Sequence, residues 1–113
     1  MQTAKVLVAE TLLTNATATY YTCGSATNNV LSTVIKSCCI TNATAGAATV
    51  TIYLVESGGT ATNPIVSAVN VAAGATYLCP ELMNQVLTLG ATIQAKSNLN
   101  STLAIRASGI ETT

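Results

Sequence analysis

Residues Val34 to Val55 read VIKSCCITNATAGAATVTIYLV, and the fold class turns on this stretch. Its second half alternates, with Ala48, Val50, Ile52 and Leu54 on one side and Thr49, Thr51 and Tyr53 on the other. Apolar residues at every second position mark a strand with one dry and one wet face. Residues Thr41 to Gly46 are small or polar and supply turn chemistry. The stretch therefore predicts a β-hairpin pairing Val30–Thr41 with Ala47–Glu56. The first of these strands has no single dry face. Val34, Cys38 and Ile40 share one side with Lys36, while Leu31, Ile35 and Cys39 share the other. A strand covered on both sides carries such a pattern, and so does one at a subunit interface. Its buried face stays open on sequence grounds.

Outward from the hairpin, the same short-strand rhythm continues in both directions. Lys5 to Leu13 reads as a first strand at a sheet edge, although its pattern alone also fits a short helix, and Asn15 to Thr19 reads as a polar break. Tyr20 to Cys23 is a short strand of aromatic and Thr residues, which suit a pleated surface. Gly24 to Asn29 is a loop. Ser57-Gly58-Gly59-Thr60 ends the second hairpin strand. Asn63-Pro64 opens an extended segment, because the residue before proline is pushed away from the helical region. Ile65 to Val71 then alternates. Ala73-Gly74-Ala75 is a turn, Thr76 to Cys79 a short strand stopped by Pro80, and Glu81 to Gln85 either a helical turn or an irregular loop. Val86 to Leu89 runs into Gly90. Ala91, Ile93 and Ala95 alternate with Thr92, Gln94 and Lys96, and Asn98 to Ser101 is a polar turn. Thr102 to Ile110 is the last strand, with Leu103, Ile105 and Ala107 opposing Ala104, Arg106 and Ser108, and Glu111 to Thr113 a tail. About eight short strands at this spacing predict an all-β fold, an antiparallel β-sandwich or jelly roll. The 113 residues make one domain, 1–113.

Composition narrows the chemistry. Phe, Trp, His and Asp are absent, and Thr, Ala, Ser and Asn dominate. Lys5, Lys36, Lys96 and Arg106 balance Glu10, Glu56, Glu81 and Glu111, for a net charge of zero. A nucleic-acid partner requires a basic stripe, and the cations are scattered. A surface this poor in charge suits packing against neighbours. No apolar run approaches the ~20 residues of a membrane helix. Glu10 interrupts the apolar run Val6 to Leu13, so no signal peptide is expected. Asn15, Asn42 and Asn100 begin N-x-S/T triplets, which an Asn- and Thr-rich chain produces by chance.

Catalysis has little to work with. Hydrolases need a nucleophile and a base, and histidine is missing. Glu56 and Glu81 would have to approach as a carboxylate pair for glycoside chemistry, and nothing in their placement requires it; solvated charge at loop ends is the plainer reading. Cys79 before Pro80 has no base to activate it. Cys23, Cys38, Cys39 and Cys79 allow three pairings into two disulfides. Adjacent Cys38 and Cys39 face opposite ways on a strand and are not expected to join. Buried free thiols are the simpler expectation, and without histidine or a CxxC pair no metal site is expected. No catalytic residue, cofactor or metal ligand is assigned. Tyr20, Tyr21, Tyr53 and Tyr77 suit ordinary sheet packing, with a sugar-stacking patch as the alternative. Tyr53 is the candidate interface anchor, joined by Ile35, Lys36 and Cys39 of the two-faced strand.

The order of Tyr20-Tyr21-Thr22, VIKSCCITNATAGAATVTIYLV, NPIVSAVNVAAGATYLC, LTLGATIQAKS and LAIRASGIE resembles a group of small bacteriophage virion proteins. In these, an "LYT" opening precedes an "IKSIxIxNT" strand, a "VTVxLYL" strand, an "L-x-aGdtI-x-A" hairpin and a closing "SGxE". The resemblance spans Val6 to Glu111 and rests on structural motifs. The chain departs at Gly90-Ala91-Thr92, where the pattern carries an acidic residue after the glycine, and at Cys38 and Cys39. The resemblance implies a β-sandwich or jelly-roll subunit that decorates or cements a phage head. It would be located in the virion after assembly in the host cytoplasm. Its partner would be the major capsid protein or another virion protein, and it would be a homo-oligomer, a trimer foremost. A tail, baseplate or fibre-attachment component is the first alternative, and a carbohydrate-binding module using the tyrosines the second. An enzyme is not expected.

Overall fold

The computed structural model describes residues 1–24 and 29–113. The expected loop Gly24 to Asn29 falls largely on residues 25–28, outside the described residues. The strands are β1 (Gln2–Leu12), β2 (Ala18–Thr22), β3 (Ser32–Asn42), β4 (Ala48–Val55), β5 (Val66–Val71), β6 (Thr76–Tyr77), β7 (Val86–Thr88), β8 (Thr92–Ser97) and β9 (Leu103–Thr112). A 3₁₀ turn, Pro80–Leu82, separates β6 from β7. All pairings are antiparallel. One sheet runs β1-β9-β3-β6 with β7 also on β3, and the other runs β2-β8-β4-β5. Chain neighbours β1 and β2, β3 and β4, and β8 and β9 thus lie in opposite sheets, and the fold is the jelly-roll form of the sandwich. β6 pairs with Ile40 and Thr41, and β7 with Ser32 to Val34. They fill one edge position in succession, which reconciles nine strands with an expectation of about eight.

The expected hairpin between Val30–Thr41 and Ala47–Glu56 does not form. β3 pairs with β9, and β4 with β5 and β8, so the 43–47 turn is a corner between sheets. Asn42 decides this. It is fully buried, and its side-chain nitrogen donates to the carbonyls of Gly46 (2.8 Å) and Val71 (3.0 Å). Its oxygen accepts from the Thr44 amide at 3.0 Å and the Thr44 hydroxyl at 2.7 Å. These bonds satisfy the corner locally, where a hairpin would have used ladder bonds between the two strands.

β3 answers the question of its buried face by using both sides in turn. Thr33 and Ile35 point inward in its first half, and Cys38, Ile40 and Asn42 in its second. The pairing with β9 shifts between Ile35 and Ser37, leaving Lys36 as the extra, exposed residue of a β-bulge. One inserted residue exchanges the two faces of a strand. β1 is bulged beside the same point, between Val6 and Val8, and both Leu7 and Val8 are buried. Gly109 of β9 lies between the two irregularities. A Cβ there would stand 2.2 Å from the Val34 carbonyl oxygen, so the close approach admits only glycine.

The core lies between the sheets and is built from mid-sized residues such as Leu13, Ile35, Ile40, Ile52, Ile93, Leu103 and Ile105, all fully buried. Ile35, expected at an interface, belongs to this core. The expected tail is also corrected. β9 runs to Thr112, and Glu111 is buried, paired with Lys5 at 3.3 Å and accepting the Tyr21 hydroxyl proton. The Tyr21 oxygen lies 2.8 Å from the Thr33 hydroxyl, which reaches the Cys23 sulfur at 3.4 Å. This chain of polar groups ties the two sheets together in a region otherwise apolar. Burial, then the Glu111 hydrogen bond, raises the Tyr21 phenol well above its ordinary pKa.

Candidate functional site

The two outer faces of the sandwich differ in kind. On the β2-β8-β4-β5 sheet, the outward residues are Thr49, Thr51 and Tyr53 on β4, Thr92, Gln94 and Lys96 on β8, and Ser67 and Asn70 on β5. This face is polar; alternation placed the β4 and β8 residues on it, whereas Ser67 and Asn70, opposed by alternation, share it through the irregularity in the β4–β5 pairing. Tyr53 lies there opposite Gln94, away from the other candidate residues. Tyr20, Tyr21 and Tyr77 pack against the core instead, so the four tyrosines form no common patch. Glu56 accepts a bond from Thr88 at 3.2 Å and Glu81 one from Tyr77, each carboxylate held by its own neighbour.

The outer face of the β1-β9-β3 sheet is small and apolar. Its cross-strand rows are Val6–Ser108–Ser37, Leu12–Ala104–Thr41 and Ile110–Val34–Val86, with Cys39 directly opposite Arg106. Two shallow depressions meet at Cys39 and Arg106. One, of about 270 Å³, reaches Leu12 and Glu10. The other, of about 340 Å³, reaches Leu78, Met83 and Ser108. Leu12, Leu78 and Met83 are 52%, 67% and 51% exposed along this surface. Large apolar side chains gathered on one face, around one cation and one carboxylate, are the composition of a contact surface.

Of the four candidate interface residues, Cys39 lies at the centre of this face. Lys36 stands on the bulge beside it, its ammonium donating to the Asn84 side-chain oxygen at 3.2 Å. Tyr53 is on the opposite side of the molecule and Ile35 inside it. Sequence reading missed Leu12, Leu78, Met83 and Arg106. Leu78 and Met83 flank the 3₁₀ turn, where no periodicity signals which way a side chain points, and the β3 bulge hid the face they extend. All four cysteines are free, with Cys23, Cys38 and Cys79 buried and Cys39 half-buried. Among the described residues, no group of three or more His, Cys, Asp or Glu side chains converges as a metal site, and no helix is long and apolar enough to cross a membrane.

No protein-family model matches the chain, and no curated protein matches it in sequence. Among solved structures, 98% of the chain superposes on a chain of "Structure of infectious bursal disease virus Gx strain", with a TM-score of 0.51 and 16% identity. This chain spans 31% of that chain's length. The likeness is one of fold: this protein shares its β-sandwich architecture with part of a chain from a virus structure.

Proposed function

We propose that the protein is a structural virion subunit that packs the outer face of its β1-β9-β3 sheet against a neighbouring virion protein. The observation that carries this reading is the contrast between the sandwich's two outer faces, one gathering exposed large apolar side chains around Arg106 and Glu10, the other polar. A subunit layered onto a particle needs one side to bury and one to leave in water. The fold likeness to a chain from a virus structure supports the same assignment. Within it we place the protein as a decoration or cement subunit of a bacteriophage head, acting without catalysis. It binds the major capsid protein as a trimer and joins the particle in the host cytoplasm. Cementing of this kind draws its strength from many modest contacts repeated by symmetry.

The test compares particles with and without the protein. Heads that assemble normally but lose resistance to heat or osmotic shock support the cement role. Intact, resistant heads that no longer adsorb to cells would overturn it in favour of a tail or fibre component. Restoring the particles with a Leu78→Lys, Met83→Lys protein should fail to rescue resistance, whereas Tyr53→Ala should rescue it. Rescue by the first and failure of the second would place the contact on the polar face, where a glycan-binding role for Tyr53 would then be examined.

A further inference from the structure

The structure assigns a covalent cross-link site to Cys38 and Cys79. We infer that these two thiols are placed to form a disulfide that fastens β6 and the 3₁₀ turn onto β3. The ladder between β3 and β6 pairs Ile40 with Tyr77 and Thr41 with Thr76. Cys38 and Cys79 each lie two residues beyond the last pair of that ladder, which ends at Tyr77 before Cys79 turns left-handed. A disulfide bridges Cα atoms about 4.4–6.8 Å apart, a span within reach of residues at the end of an antiparallel ladder. Both side chains point inward and are buried, the Cys79 thiol donates to the Tyr77 carbonyl at 3.8 Å, and the Cys38 thiol lies near enough to shift its pKa.

The remaining cysteines are excluded by position. Cys39, next in the chain, points to the outer face. Cys23 lies near the other end of the sandwich, between the Thr33 hydroxyl (3.4 Å) and the Leu87 carbonyl (3.6 Å). Of the three ways of pairing four cysteines, the structure provides for one bond of one of them.

The local backbone gives the bond a purpose. Cys79 adopts a left-handed conformation (φ 45°) immediately before Pro80, and β6 is only two residues long. Such a segment has few ladder bonds to hold it, and a link to β3 would hold it covalently. Leu78 and Met83, which shape the outer apolar face, flank that segment. The neighbouring Cys38 thiol, with burial adding to its effect, raises the Cys79 thiol far above its ordinary pKa, so in the reduced protein Cys79 remains protonated.

Hydrogen peroxide supplies a balanced route, since Cys38 borders the depression that opens to solvent. Cys38 sulfur attacks one peroxide oxygen, the O–O bond breaks, and Cys38 sulfenic acid and water form. Cys79 sulfur then displaces the sulfenic oxygen, the S–S bond forms, and the Cys79 proton leaves with that oxygen as a second water. The peroxide is reduced by two electrons and the two thiols are oxidised by two.

The experiment treats the full chain with hydrogen peroxide and blocks the remaining thiols at acidic pH. It is then digested, without reduction, by trypsin together with a protease that cuts after glutamate. Cleavage after Lys36, Glu56 and Glu81 separates residues 37–56 from 57–81, and Cys23 from both. The expected product is 37–56 joined to 57–81, lighter than the sum of the two by two hydrogens. It should persist in Cys39→Ser protein and vanish in Cys38→Ser and Cys79→Ser proteins. The digests of wild type and of Cys39→Ser, a change at a half-buried outer-face position, together decide the assignment even if a buried substitution prevents folding. Oxidised wild type should also melt several degrees higher, and reductant should reverse the gain. Absence of the linked product, a link retained by Cys38→Ser, or a link through Cys23 would overturn the assignment. The inference stands apart from the virion role, because the digest reads the bond in the isolated protein.

Discussion

Asn42 shows how much a single residue can decide. Its amide makes four hydrogen bonds inside the corner from β3 to β4, and no buried side-chain polar atom among the described residues is left without a partner. Replacing it with alanine removes the donor from the Val71 carbonyl in a buried site and deletes three partly buried bonds to Gly46 and Thr44. The expected cost is about 2–3 kcal/mol, lowering Tm by roughly 10 °C in a thermal melt. Asn42→Asp should be no better, since a carboxylate would face the two carbonyls the amide nitrogen now serves. Tyr21 carries a different kind of information. Its phenol is raised by burial and by its bond to Glu111, so the folded state holds this proton more tightly than the unfolded chain does. The associated stability is present below the unfolded phenol pKa of about 10 and is lost as pH rises through the higher folded value. Tm should therefore fall as the medium is made more alkaline than about pH 10. Tyr21→Phe should start lower at neutral pH but fall less steeply, which melts across an alkaline pH series would read. An unchanged slope would mean that Tyr21 is not a source of the loss.

Among the elements, β3 is the one whose pattern resisted a single reading, and its bulge explains why. Ile35 and Cys38 both face the core although they are three positions apart, because Lys36 is looped out between them. Deleting Lys36 should leave Thr33, Ile35, Cys38, Ile40 and Asn42 on one face in unbroken alternation. The shortened protein is expected to fold with only a modest drop in Tm. Deleting Thr41 instead moves Asn42 to the wrong face and should abolish a cooperative melt. If both deletions unfold the protein, the bulge has a further role in bending the sheet around Gly109. The paired irregularity in β1 and the close approach of Gly109 to Val34 are the structural reason such bending would matter.

At the scale of the whole molecule, the contrast between the outer faces governs what the protein can touch. Leu78 and Met83 are more than half exposed, so changing them to lysine removes little internal packing. The double variant should melt within about 0.5 kcal/mol equivalent of the parent. It should nonetheless lose whatever assembly the apolar face mediates, read as a smaller mass in sedimentation or as lost binding to particles. Tyr53→Ala, on the polar face, should alter neither. A double variant that binds and assembles like the parent would remove the apolar face from the interface.

Much of the fold was legible in the sequence because strands with one wet face write their alternation directly into the chain. β4, β8 and most of β9 have the inward residues that Val50, Ile93 and Ile105 announced, and the turn residues marked the strand ends closely. The edge placement of β1 was also readable. Pairing was not, since Ala48 to Val55 would alternate identically beside β3 or across the sandwich from it. Alternation reports which side of a strand is dry and is silent on which strand lies next to it. Asn42 and the long-range bonds to Val71 made that choice, and they exist only once distant segments meet. The same limit hid the candidate surface: Lys36 interrupts the period of β3, and Leu78 and Met83 sit in a segment with no period at all. Glu111, an unremarkable charge near the end of the sequence, became a buried partner of Lys5 and Tyr21 for the same reason. Local patterning thus determined the strands and their dry sides, while contacts remote in sequence decided the jelly-roll wrap, the apolar outer face and the meeting of Cys38 with Cys79.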